Sequence, residues 1–148
     1  PGRVAEATGL RFKLHVQPGT VLTDPVRVRR MIGNLLSNAI KYTNEGGILL
    51  GARQTSEGLR VEVWDTGIGI ARENLRDVFL GVYKVADHAG TSDGFGLGLA
   101  IVARLSHALG HPVSVRSRLG RGSVFRVALH DAVEAQAQSR ATAAGAVG

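Results

Sequence analysis

The chain has 148 residues, 44% of them hydrophobic, and a formal charge of +6, a size that suits one domain with a real core. It contains no cysteine, which excludes disulfides, thiol nucleophiles and cysteine–metal sites and fits a reducing compartment. No run approaches the roughly 20 apolar residues of a membrane span and no signal peptide is visible; the first residue is Pro1 rather than Met, so the chain reads as an excised piece of something longer.

Residues 1–9 read as a connector from a missing upstream domain. From Leu10 to Val16 apolar and polar residues alternate, which predicts a half-buried strand. Pro18 and Gly19 make a turn, and Val21 and Leu22 a short extended piece. Asp24 followed by Pro25 is a strong helix start, with Asp at the N-cap and Pro at the first helical position. That helix should run to about Tyr42 and stop at Asn44–Gly47. Strands are expected over 48–54 and 59–64, joined by a turn at Ser56, Glu57 and Gly58. A glycine-rich loop from Asp65 and a short helix over 72–79 follow. Residues 84–96 show little periodicity and read as a mobile loop. A helix over 97–109 ends at Gly110, and strands over 112–117 and 123–129 close the domain. The domain proper is 10–130, and 131–148, rich in Ala and Gln, reads as a largely disordered tail or linker. Interleaved helices and hairpins predict a two-layer α/β sandwich, a mixed sheet with helices packed on one face.

The helix before Tyr42 is the most telling element. Met31, Ile32, Leu35, Leu36, Ala39 and Ile40 point to a core. Asn34 and Asn38, four residues apart, lie one turn apart on a neighbouring face, and Lys41 and Tyr42 extend the row. Core packing has no use for such a row, and Asn is a mediocre helix former. Amide oxygens beside a cation suit a hydrated magnesium carrying phosphates.

Two of the glycine loops have chemically pointed neighbours. Gly94, Phe95, Gly96, Leu97 and Gly98 open a helix, so unpaired N–H groups and the positive end of the helix dipole would face an anion. The loop is neither a Walker loop, lacking the Lys-Ser/Thr, nor the dinucleotide fingerprint, since Leu99 stands where a third glycine is needed. By itself it is a phosphate cradle or a flexible helix entry. Asp65, at a strand end and followed by Gly67 and Gly69, is either an acceptor for an exocyclic amine or an ordinary turn aspartate. The arginines are scattered and aromatics few, which argues against nucleic acid.

The order of these parts is more specific than any of them. The amide–lysine helix, the Asp65-x-Gly67-x-Gly69 loop, the mobile segment, the Gly94-x-Gly96-x-Gly98 helix start and the Gly120-x-Gly122-Ser123-x-Phe125 hairpin resemble the ATP-binding catalytic domain of bacterial sensor histidine kinases. That family shares a superfamily with gyrase, heat-shock chaperone and mismatch-repair ATPases. The resemblance covers residues 4–130 and implies the Bergerat ATP-binding fold, with ATP and Mg²⁺ as cofactors. It implies that Asn38 coordinates Mg²⁺ through its side-chain oxygen and that Asn34 assists at the metal–phosphate end. Lys41 matches a basic residue on the phosphates, and Tyr42 an aromatic near the nucleotide. Asp65 matches the carboxylate that accepts from the adenine 6-amino group, in a pocket shaped by Gly67 and Gly69. Gly94, Gly96, Leu97 and Gly98 match the phosphate-binding helix start and lid hinge. Ser123 replaces a usual threonine and keeps its hydroxyl for adenine. Lys84 matches the basic residue behind the phenylalanine box, which can reach the γ-phosphate.

That box departs from pattern at Leu80, Gly81 and Val82, where Glu, Pro and Phe are usual. The hydrolysing branches carry a Glu one turn before the metal asparagine; here Asn34 holds that place and cannot take a proton. The resemblance therefore implies phosphoryl transfer to a histidine on a separate dimerisation domain, then to the receiver domain of a response regulator. His15, His88, His107, His111 and His130 lack the sequence context of that acceptor and the spacing of metal ligands, and read as surface or packing residues. No partner nucleic acid and no membrane contact by this domain are expected. The domain should be cytoplasmic, with a membrane anchor elsewhere in the protein left open. A nucleotide sensor without phosphotransfer, an anti-sigma-factor-type serine kinase and a true ATPase share the fold and stay open at this point.

Overall fold

The computed structural model describes residues 9–79 and 96–131, apart from the side chains of 96 and 97. The expected connector except Gly9, the phenylalanine box from Leu80, Lys84, the expected mobile loop through Gly94 and Phe95, and the tail from 132 lie outside the described residues. The strands are β1 (Leu10–Val16), β2 (Gly46–Thr55), β3 (Gly58–Asp65), β4 (Val113–Arg118) and β5 (Gly122–Leu129), and the helices α1 (Pro25–Lys41) and α2 (Gly96–Leu109). They form one sheet in the order β1-β2-β3-β5-β4. The β1–β2 pair is parallel and the rest antiparallel. A parallel pair needs a crossover connection, and α1 supplies it.

Period-two alternation sorts each strand between two faces. Val61 and Val63 of β3 and Phe125, Val127 and Leu129 of β5 are buried, while Glu62 and Trp64 point the other way. The buried set meets Met31, Leu35 and Ala39 of α1 and Leu99 and Val102 of α2 in one core. This is the expected mixed sheet with helices on one face. Asp24 caps α1 as its position predicts, accepting from the N–H groups of Val26 (3.0 Å) and Arg27 (3.2 Å).

Two local expectations change. Strand β2 starts at Gly46 rather than 48, because Gly46 and Gly47 lie opposite Leu10 and Arg11 of β1. The expected helix over 72–79 is only a 3₁₀ turn at Arg72–Asn74 followed by turns. Ala71 has no side-chain oxygen to cap a helix, and the hydrogen bonds join residues three apart rather than four, Leu75 N–H to Arg72 O and Asp77 N–H to Asn74 O. Burial of Ile70 and Val78 holds this segment to the core instead.

His111 is a packing residue, fully buried where α2 gives way to β4. The His130 N–H donates to its Nδ1 (3.2 Å), so the proton of the neutral ring is on Nε2, 2.7 Å from Thr23 Oγ1. The ring thus ties the entry of α1 to the exit of β5. Burial, then the nearby His130, lower its pKa below the ordinary 6.5. A lowered folded value means the stabilisation is complete above the unfolded value and is lost as pH falls through the folded one. The melting temperature should therefore drop on acidification from about pH 7 to about pH 5. A His111→Gln variant should lose part of that slope, and an unchanged slope would show that another group controls it.

Candidate nucleotide-binding site

The asparagine row sits where the period of α1 puts it, beside the buried stripe of Met31, Leu35 and Ala39, with Asn34 and Asn38 half-buried. Lys41 closes the last turn of the helix, its Nζ 5.8 Å from the centre of the Tyr42 ring. Tyr42 itself is buried in the core. Its carbonyl accepts the Ile68 N–H at 3.1 Å, which fastens the Asp65 loop to the end of α1.

The start of α2 reaches the same place. A Cβ on Gly98, in the first turn of α2, would lie 3.8 Å from Asn34 Oδ1. Two segments more than 60 residues apart in sequence (98 − 34 = 64) therefore meet: the carboxamide row and the helix start with its outward N–H groups. Gly96 lies at the start of α2 with Leu97 beside it.

Asp65 ends β3 between Ile48 of β2 and Ser123 of β5. Its Oδ1 accepts the Gly67 N–H at 2.9 Å. Burial raises its pKa, against the lowering effect of backbone hydrogen bonds from Gly67 and Ser123. The glycines that follow are required sterically. A Cβ on Gly67 would strike the Tyr42 carbonyl and stand 2.7 Å from Thr43 Oγ1 and 3.0 Å from Asp65 Oδ1. Gly69 has φ +72° and lies against the Arg118 carbonyl, a conformation that side chains resist. The loop is thus clamped between the end of α1 and the β4–β5 hairpin, whose Gly120 N–H donates to Ile68 O at 2.7 Å.

Sequence reasoning missed two hydroxyls here. Ser117 Oγ accepts the Ile70 N–H (2.7 Å), donates to Gly122 O (2.9 Å) and lies 2.7 Å from Ser123 Oγ. Its single proton goes to Gly122, so Ser123 must donate to Ser117, which leaves Ser123 Oγ with only lone pairs to offer. A lone serine in a strand gives no signal; only the β4–β5 register, Ser117 opposite Ser123, reveals it. Thr43 is the other, its buried Oγ1 lacking a hydrogen-bond partner among the described residues and lying beside Gly67.

The charged and polar groups divide into two ends. At the α1–α2 end are amide oxygens, an ammonium and helix N–H groups, suited to metal-bound phosphate. At the strand end are a carboxylate and a hydroxyl oxygen, both acceptors, suited to an amino-bearing base. Among the described residues no cluster of three or more His, Asp or Glu could cage a metal. The Asn34 and Asn38 oxygens instead fit Mg²⁺, which takes few protein ligands and keeps phosphate and water oxygens.

Residues 23–133 match the family described as histidine kinase-, DNA gyrase B-, and HSP90-like ATPase. The chain belongs to that family. Within it, the relatives are sensor histidine kinases. The aerobic respiration control sensor protein ArcB of Escherichia coli is 39% identical over 132 residues, covering 85% of this chain. The E. coli sensor protein TorS is 42% identical over 108 residues, covering 73% of it. The crystal structure of full-length ShkA in complex with AMPPNP superposes with a TM-score of 0.71 at 35% identity, over 88% of this chain and 28% of that one. The chain spans 17% of the length of ArcB and 12% of TorS. It is therefore an ATP-binding domain of that family, similar in sequence and in α/β fold to the corresponding part of sensor histidine kinases. No helix among the described residues is long and apolar enough to cross a membrane.

Proposed function

We propose that this domain binds Mg-ATP between α1 and α2 and delivers the γ-phosphoryl group to a histidine on a separate dimerisation domain. A receiver domain of a response regulator then takes the group onto an aspartate. The observation that carries this reading is Asn34, one turn before Asn38 and in contact range of the α2 start. A carboxamide orients a phosphate or a metal-bound water but cannot accept a proton, so water is a poor nucleophile here and a protein histidine is the better one.

Each of this chain's groups then has a stated task. Asn38, assisted by Asn34, holds the metal, which when bound neutralises phosphate charge. Lys41 and Lys84 place positive charge on the phosphates, and Gly94, Gly96, Leu97 and Gly98 let backbone N–H groups approach them. Asp65 and Ser123 accept from the adenine amine in the pocket shaped by Gly67 and Gly69, with Tyr42 near the nucleotide. Phosphoryl transfer depends mostly on positioning and charge neutralisation, which these groups supply. The incoming histidine nitrogen forms the new P–N bond as ADP leaves. These steps place the domain at work in the cytoplasm, where ATP and receiver domains meet.

Mixing the domain with a cognate phosphoacceptor domain and γ-labelled ATP tests the proposal. Label should appear on the acceptor, and the domain alone should turn over ATP slowly. Steady hydrolysis by the domain alone, or an unlabelled acceptor, would overturn it. Asp65→Asn should weaken ATP binding about tenfold or more and lessen the preference for ATP over GTP. Its effect on the fold should go the other way. A raised carboxylate pKa favours the fold below the ordinary 3.8 and is a cost once pH exceeds the folded value, so at neutral pH the Asn variant should melt no lower than the wild type. A lower melting temperature with unchanged base preference would show Asp65 to be merely structural.

A further inference from the structure

The nucleotide site uses one face of the sheet, and the other face has a distinct chemistry. One row crosses all five strands there: Arg116, Val124, Trp64, Leu49 and Lys13, each directly opposite the next. The row beside it pairs Arg126 with Glu62, and the next pairs Arg53 with Arg60. Alternation places Arg118 and Arg11 on the same face at the two edge strands. The residues just named include seven cations and a single acid. That acid, Glu62, is already paired with Arg126, 2.7 Å away. Among the described residues no helix covers this face.

The layout is as telling as the charge. Trp64, 44% exposed, stands at the centre. Val124 beside it is only 8% exposed and Leu49 is half-buried, so Trp64 alone of the three apolar residues stands out. A cavity of about 1180 Å³ is bordered on this face by Trp64, Arg116, Arg118, Val124 and Arg126, and it continues to Glu73 and past the sheet to Ser117 and Ser123. An apolar centre with a charged rim, enriched in Trp and Arg, is the anatomy of a protein interface rather than of a merely solvated sheet. The edge strands are four strand spacings apart, about 19 Å, room for a helix about 10–12 Å wide with carboxylates reaching to either side.

We propose that this open face docks an acidic protein partner, an amphipathic helix whose apolar strip lies over Trp64 and whose carboxylates meet Arg116 and Arg118 on one side and Lys13 and Arg11 on the other. Residues 132–148 do not supply that charge, since Glu134 and Arg140 are their only charged residues. A nucleic-acid backbone would lay phosphates over the centre, where Leu49, Trp64 and Val124 have no cation to offer. A membrane would require several protruding apolar groups, and of Leu49, Trp64 and Val124 only Trp64 is exposed. The proposal does not depend on the nucleotide site.

Trp64 is the sole tryptophan of the chain, so its fluorescence reports on this face directly. The probe is a synthetic helical peptide with one leucine strip flanked by glutamates, titrated into the full chain. Parallel titrations use a single-stranded oligonucleotide and phosphatidylglycerol vesicles. The peptide should shift Trp64 emission saturably, more weakly at high salt. The double substitution Lys13→Glu with Arg116→Glu should weaken it about tenfold or more, while Arg29→Glu with Arg30→Glu, an equal charge change on α1, should cost less than about threefold. Circular dichroism and melting confirm that both variants are folded. No shift of Trp64 emission, equal weakening by the two double substitutions, or tighter binding of the oligonucleotide or the vesicles would overturn the proposal.

Discussion

Asn38→Ala should leave the fold intact and abolish Mg-ATP binding. The residue is half-buried on α1, next to but outside the buried stripe of Met31, Leu35 and Ala39. Alanine is the better helix former by roughly 0.5 kcal/mol, so the variant should melt at the wild-type temperature or slightly above. The loss falls on the ligand, because among the described residues of α1 the only other carboxamide oxygen is that of Asn34, one turn away. A weakening of at least about a hundredfold, near 2.7 kcal/mol, is expected in a calorimetric titration with Mg-ATP. Undiminished affinity in the same titration would refute the metal assignment. The opposed directions of melting and binding make the experiment decisive, since a general loss of structure would lower both.

Gly67→Ala should damage folding and binding together. The added methyl would meet three groups of different origin: the Tyr42 carbonyl at the end of α1, Thr43 Oγ1 and the Asp65 carboxylate. Two belong to segments held from both sides, by the Ile68–Tyr42 backbone bond and the β3 ladder, so the clash cannot be relieved by turning one side chain. Overpacking of this kind costs about 1–3 kcal/mol. For this chain that should appear as a melting temperature several degrees lower and a nucleotide affinity reduced at least about tenfold, because Asp65 is displaced along with the loop. Wild-type melting would mean that the loop gives way freely, and the clamp described above would then be wrong.

What could be read from the amino acids follows from how local each signal is. Asp24 and Pro25 located the start of α1 because capping is completed within four residues. The Asn34–Lys41 row was legible for the same reason: a helix fixes which residues share a face. Gly46 and Gly47 read locally as a helix stop although they open β2, since their strand partner is 36 residues earlier (46 − 10 = 36). The segment after Arg72 looked helical by composition, but burial of Ile70 and Val78 decided its path. Ser117 and the row of Arg116, Val124, Trp64, Leu49 and Lys13 were invisible for one reason: register across five strands is a property of the assembled sheet. Thr43 offered only its place after Tyr42.

The hydroxyl pair at the strand end has a consequence for how the site chooses its base. Because Ser117 gives its proton to a backbone carbonyl, the orientation of Ser123 is imposed by the main chain rather than by rotation of its own side chain. The polarity of that corner is hard-wired. Asp65 and Ser123 then present acceptor beside acceptor, a pairing that welcomes an amino group and repels a carbonyl oxygen. Purine discrimination would in that case be inherited from the hairpin backbone, and a substitution at Ser117, whose hydroxyl fixes that of Ser123, would retune it.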